Sequence, residues 1–99
     1  MMFKDVIELV SFDIIKDELH QEIEIESNRL VFANKKSASQ SEFFNAGQNG
    51  FKPQYVFTVR LIDYDEESLL LFNEKRYSIY RTYETGENME LYCELKVGA

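Results

Sequence analysis

Alternating apolar and polar residues run through most of this chain, and they predict strands. The clearest case is "QYVFTVRLIDY", where Tyr55, Phe57, Val59 and Leu61 share one parity, the period of a half-buried strand. Near the end, Met89, Leu91, Cys93, Leu95 and Val97 alternate with Glu90, Tyr92, Glu94 and Lys96. "FKDVIELVSFDII" is apolar on both parities, with Phe3, Ile7 and Leu9 on one and Val6, Val10 and Phe12 on the other. That pattern predicts a core strand of a barrel or sandwich. In "EIEIESNRLVFANKK", Ile23 and Ile25 are expected inward and Glu22, Glu24 and Glu26 outward, but Leu30 and Phe32 continue the apolar pattern on even numbers. A bulge or bend near Ser27-Asn28 is expected to absorb this slip. A short strand over 69–72, a turn at Asn73-Glu74 and a strand over 76–83 complete the set.

One segment breaks the alternation. "SASQSEFFNAGQNG" has the spacing of a capping box, Ser39 and Glu42, which satisfies two free backbone donors at a helix start. Gly47 suits a left-handed stop. About two turns of helix do not hold alone, so this helix must dock through Phe43 or Phe44, on its own barrel or on a neighbouring chain. The reading is a mostly β fold: one domain over 1–99, a small antiparallel β-barrel or sandwich of five to six strands, with one short helix in a long loop.

Charge and composition narrow the function classes. The net charge is −7, which argues against a basic surface for nucleic acid or anionic lipid. The single cysteine, Cys93, allows no intramolecular disulfide and no cysteine cluster for zinc; it lies on the apolar parity of its strand, where an inert buried thiol is expected. The opening residues have neither the basic start nor the apolar length of a signal peptide or membrane span.

Catalytic chemistry finds little support. His20 is the lone histidine, and it falls in a turn, without a nucleophile or an orienting group at any recognisable spacing. "DYDEES", 63–68, offers carboxylates but not the residue order of a calcium loop, so a solvated turn is expected. The ladder Glu22, Glu24, Glu26 reads as a wet strand face, or as a surface that lines a channel or meets a basic partner. No metal or cofactor is implied. The segment 35–53 is expected to make intermolecular contacts because it is long, polar and carries a helix too short to stand alone; Lys35, Lys36, Glu42, Phe43, Phe44 and Phe51 are its expected interaction residues, with the three phenylalanines as anchors because buried aromatics dominate interface energetics.

The order of these pieces resembles the small phage head–tail joining family, also called head-closure, stopper or head–tail adaptor proteins. "VFANKKS…SEFFNA" is similar to its strand-to-helix segment, "FTVRLIDYD" to its long strand ending near an acidic turn, "FNEKRYSIYRTYE" to its hairpin and "MELYCEL" to its closing strand. The likeness covers nearly the whole chain. It departs in two turns: His20 stands where the family often has glycine, and Glu74 follows Asn73 where Asn-Gly is common. Glutamate suits the left-handed position of a type I′ turn poorly, so a longer turn or one of another type is expected there.

The resemblance implies a non-enzymatic structural protein of the virion neck, made in the bacterial host cytoplasm. Its copies would form a ring below the portal and its adaptor and above a tail-completion protein. The ring would close the head after packaging, join head to tail, and pass genomic DNA without sequence-specific binding; no membrane is involved. A second reading stays open, an OB-like module that recognises single-stranded nucleic acid or a peptide on Arg60, Arg76, Tyr80 and Arg81.

Overall fold

A computed structural model of the protein describes residues 3–96. Six antiparallel strands, β1 (Asp5–Lys16), β2 (Glu22–Ser37), β3 (Pro53–Arg60), β4 (Leu69–Phe72), β5 (Lys75–Thr85) and β6 (Asn88–Leu95), close a barrel in the order β1-β2-β3-β6-β5-β4. One helix, α1 (Gln40–Gly47), lies between β2 and β3, and a short 3-10 turn, Leu61–Asp63, follows β3. Closure removes most sheet edges, which suits a chain too small to cover them with a second layer.

In β3 and β6 the interior is the parity that alternation marks, but in β2 the buried residues are Val31 and Ala33, and Ile23 and Ile25, expected inward, are exposed. Ile7, Leu9, Val31, Ala33, Phe57, Val59, Leu70, Tyr77, Leu91 and Cys93 form the core, with Tyr55, Phe72, Ile79 and Met89 packed against it. Aromatic rings fill one end, where Tyr55 meets both Phe57 and Tyr77 edge to face. Leu61 leaves this alternation because the chain turns at the end of β3. Leu95 is partly open to solvent, 40% exposed, and Val97 lies outside the described residues.

Three sequence expectations are corrected by backbone geometry. No bulge interrupts β2: it pairs with β1 without a shift from Asp5↔Ala33 to Lys16↔Glu22. The parity slip is instead real exposure, since Leu30 and Phe32 point outward, 67% and 65% exposed. The Asn73-Glu74 turn is a tight two-residue loop between Phe72 and Lys75, with φ of 51° and 64°. Glu74 therefore takes the left-handed conformation in spite of its Cβ, because the closed β4–β5 ladder fixes both flanks. Gly47 is not a left-handed stop: the residue after it, Gln48, is right-handed, and Gly50 carries the positive φ of 85°.

The β1–β2 hairpin is longer than the barrel needs. β4 pairs with β1 only from Glu8 to Val10, and β3 pairs with β2 only from Asn34 to Ser37. Residues 11–27 thus pair only with each other and form a two-stranded arm. Its turn is closed by Asp17, whose Oδ1 accepts from the Leu19 and Gln21 amides at 2.9 Å. His20 is in this exposed turn with φ 62°.

Candidate functional site

The helix is attached to the barrel by a carboxylate, and the attachment is built by a bulge. Ile79 pairs with Cys93 and Arg81 with Tyr92, so Tyr80 is an extra residue in β5. Such a bulge re-aims side chains. Tyr80 and Arg81, adjacent in sequence, both reach Glu42 on α1. The Tyr80 hydroxyl donates to Glu42 Oε2 at 2.6 Å. Arg81 donates to the same oxygen through Nε at 3.2 Å and to Oε1 through its terminal nitrogen. Glu42 is only 8% exposed, and this two-oxygen grip by a guanidinium is the strong form of a charged hydrogen bond.

The electrostatics follow from the contacts. The Arg81 hydrogen bonds hold the Glu42 carboxyl below its usual range, against the opposing pull of burial and with help from Tyr80. Burial, then the bond to Glu42, pushes the Tyr80 hydroxyl up. Arg81 also lies 3.7 Å from the centre of the Tyr92 ring, and Phe51 stacks on Tyr80 at 4.8 Å. An open cleft of about 300 Å³ lies beside this lock, lined by Glu42, Asn45, Ala46, Asn49, Phe51, Tyr80 and Arg81.

The predicted interaction residues separate into distinct roles. Half of the expected capping box forms: Ser39 Oγ accepts from the Glu42 amide at 3.0 Å, while the Glu42 side chain turns to the barrel instead of back to Ser39. The helix docks through Glu42 and Ala46, not through Phe43 or Phe44, which face outward, 59% and 69% exposed. Phe51 is the one expected aromatic anchor engaged on the barrel. Lys36 is tied to Glu90 at 3.3 Å. Lys35 belongs to the barrel end, where its ammonium sits 4.9 Å and 5.2 Å from the Tyr55 and Phe72 ring centres.

The other candidates lie apart from this site. Glu22, Glu24 and Glu26 line the arm, exposed, and among the described residues only Glu26 is in an ion pair, with Arg76 at 3.0 Å. The acidic turn 63–68 is not simply solvated: Glu67 is buried, and it accepts from Arg29 at 2.7 Å and from the Asp65 amide at 2.8 Å. Among the described residues no group of three or more His, Cys, Asp or Glu is placed to hold a metal. Cys93 is fully buried, and burial pushes its thiol up, which leaves it unreactive. The residues of the nucleic-acid reading each have a contact within the fold: Tyr80 and Arg81 hold Glu42, Arg76 holds Glu26, and Arg60 sits 5.9 Å from the Phe3 ring centre.

A second, larger opening of about 780 Å³ is lined by Phe3, Arg60, Leu61, Ile62 and the β5–β6 turn, 85–88. No helix among the described residues is long and apolar enough to cross a membrane. No protein-family model matches the chain, and no curated protein matches it closely enough to count as a relative.

Sequence reasoning misses the Glu42 lock. The trace it leaves is faint: the pairing phase shifts after Ile79, so that Thr82 stands across from Leu91, but Thr82 and Glu84 are polar and exposed, so nothing apolar reports the change.

Proposed function

We propose that the protein is a non-enzymatic structural subunit that assembles into a ring at a phage neck, below the portal and adaptor, closing the filled head and joining it to a tail. The observation that carries this reading is the outward display of Phe43 and Phe44 on a helix held by other residues. Two adjacent exposed phenylalanines on a docked element are costly in water and useful against a protein surface. The family resemblance supplies the particular assembly. In a ring, contacts are heterologous, one face meeting a different face of the next copy, and the α1 face supplies one side of such a contact. The subunit would be made in the bacterial cytoplasm and reside in the virion neck.

Removing the gene from the genome that encodes it should leave DNA-filled heads and finished tails unjoined, as seen by electron microscopy of a lysate. Phe43→Ser/Phe44→Ser should reproduce that outcome while the purified variant keeps its strand circular-dichroism spectrum. Joined, infectious particles in the absence of the protein overturn the reading.

A further inference from the structure

Among the described residues no other strand pairs with the arm formed by residues 11–27, and its chemistry says what a partner would be. Among the described residues no strand pairs with β2 from Glu22 to Ala33 on the side away from β1, so a row of backbone donors and acceptors lies open. Neither face of the arm is a solvent face. On one, Phe12 is opposite Glu26, Ile14 opposite Glu24 and Lys16 opposite Glu22; on the other, Asp13 is opposite Ile25 and Ile15 opposite Ile23. Phe12, Ile14, Ile15, Leu19, Ile23 and Ile25 are all substantially exposed. A surface that only lets DNA slide past needs charge, not isoleucine and phenylalanine between the charges.

Charge then selects the occupant. The arm carries six carboxylates and one lysine, −5 of the chain's −7. A second copy laying its own β2 along this edge would set glutamate ladders against each other, and like charges across a ladder destabilise it. A basic strand meets the opposite situation. The ladder already holds one guanidinium, Arg76 on Glu26, while Glu22 and Glu24 make no ion pair among the described residues.

We propose that the arm is a docking edge for a strand of a different protein, one alternating lysine or arginine with β-branched apolar residues. The incoming strand pairs with the backbone of β2 around Glu22 to Glu26. Its cations face Glu22 and Glu24, and its apolar residues cover Ile23 and Ile25. Strand addition of this kind draws affinity from the main chain and specificity from alternate side chains. The inference rests on the arm alone and holds whatever assembly the protein joins.

The test titrates the full chain with a short synthetic peptide alternating lysine and valine and reads binding by calorimetry. Binding is expected, roughly tenfold weaker at high salt, because exposed charges are screened. It should weaken by a similar factor in Glu22→Lys/Glu24→Lys and in the milder Glu22→Gln/Glu24→Gln. A peptide alternating glutamate and valine should not bind, and methylating the backbone nitrogens of the lysine peptide should abolish binding. Any of three results overturns the proposal: no binding of the lysine–valine peptide, binding indifferent to both double variants or to backbone methylation, or arm-dependent self-association of the wild-type chain in sedimentation, which would make a second copy the occupant.

Discussion

The β1–β2 hairpin contains two regions that share a register and differ in fate. From Asp5 to Val10 against Asn28 to Ala33 it is barrel wall, with Ile7, Leu9, Val31 and Ala33 buried. From Ser11 to Lys16 against Glu22 to Ser27 it is arm, with its isoleucines in water. The alternation is as regular in one half as in the other. What separates them is company: the wall half has β4 beside Glu8 to Val10 and the rings of the core packed over it, and the arm half has neither. Burial here is a property of neighbours that lie far away in sequence. An isolated two-stranded ribbon is marginal in water, so the arm draws its order from the wall it continues.

The largest effect should come from cutting into the wall. Leu9 is fully buried and stands across from Leu70 of β4. Leu9→Ala is expected to cost about 2–5 kcal/mol in chemical denaturation, the range for emptying a leucine site in a packed core. In a chain of this size that is a large share of the total stability. If Leu9→Ala cost no more than an exposed substitution, the division into wall and arm would be wrong.

The α1 helix sharpens the comparison because it also displays apolar residues, yet has an anchor. Glu42→Ala removes the acceptor for Tyr80 and Arg81, and hydrogen bonds to a charged group contribute about 1.5–3 kcal/mol. Part of this will be lost to solvent screening, since Arg81 is 45% exposed. The loss should be local: amide exchange should speed up over 40–47 while the barrel strands keep their protection. The pH dependence has a definite sign. The folded-state pKa of Glu42 is lowered, so its contribution is fully present above the ordinary carboxylate range and disappears as pH falls through the depressed value. Acid should therefore loosen α1 in the wild type, and Glu42→Gln should flatten that response.

The succession of strands is legible in the sequence for a physical reason: period-two alternation survives wherever a strand has one dry face, as in β3 and β6. Two kinds of feature are not legible. Side chains that do their work across the fold give no sign of their partner in sequence: Glu42 reads as a capping residue, and Glu67 as part of a solvated turn. Phe43 and Phe44 look like anchors for the converse reason, since hydrophobicity marks what is costly to expose but not whether a neighbour within the chain will cover it. The bulge expected at Ser27-Asn28 does not form, because that expectation takes the outward positions of β2 to be polar. Leu30 and Phe32 keep the register and remain exposed instead.

The β4–β5 hairpin is the opposite of the arm, two strands each paired on both sides and joined by a strained turn. Glu74 sits at φ 64°, a conformation that costs a residue with a Cβ about 1–2 kcal/mol. Glu74→Gly relieves this, with part of the gain offset by the freedom glycine has when unfolded. A net gain of about 1 kcal/mol is expected, a rise in Tm of roughly 4–8 °C for a domain of this size. The same exchange at His20, φ 62° in the arm's turn, should raise global stability less, because the arm can fray without opening the barrel.

The smallest effect should come from the arm itself. Ile14 is 65% exposed and lies opposite Glu24, so Ile14→Ser should change unfolding free energy by no more than about 0.5 kcal/mol, the usual range for a surface site. Serine has a lower strand propensity than isoleucine, so a small loss is the expected sign. The pair Leu9→Ala and Ile14→Ser compares two apolar residues five positions apart on one strand. A cost at Ile14 approaching that at Leu9 would mean that the arm is folded over apolar surface in solution and not open to a partner. A near-zero cost would leave Ile14 open on the Glu24 face of the arm, and lysine–valine peptide binding should then change less in this variant than in Ile23→Ser/Ile25→Ser, because the incoming apolar residues cover the opposite face.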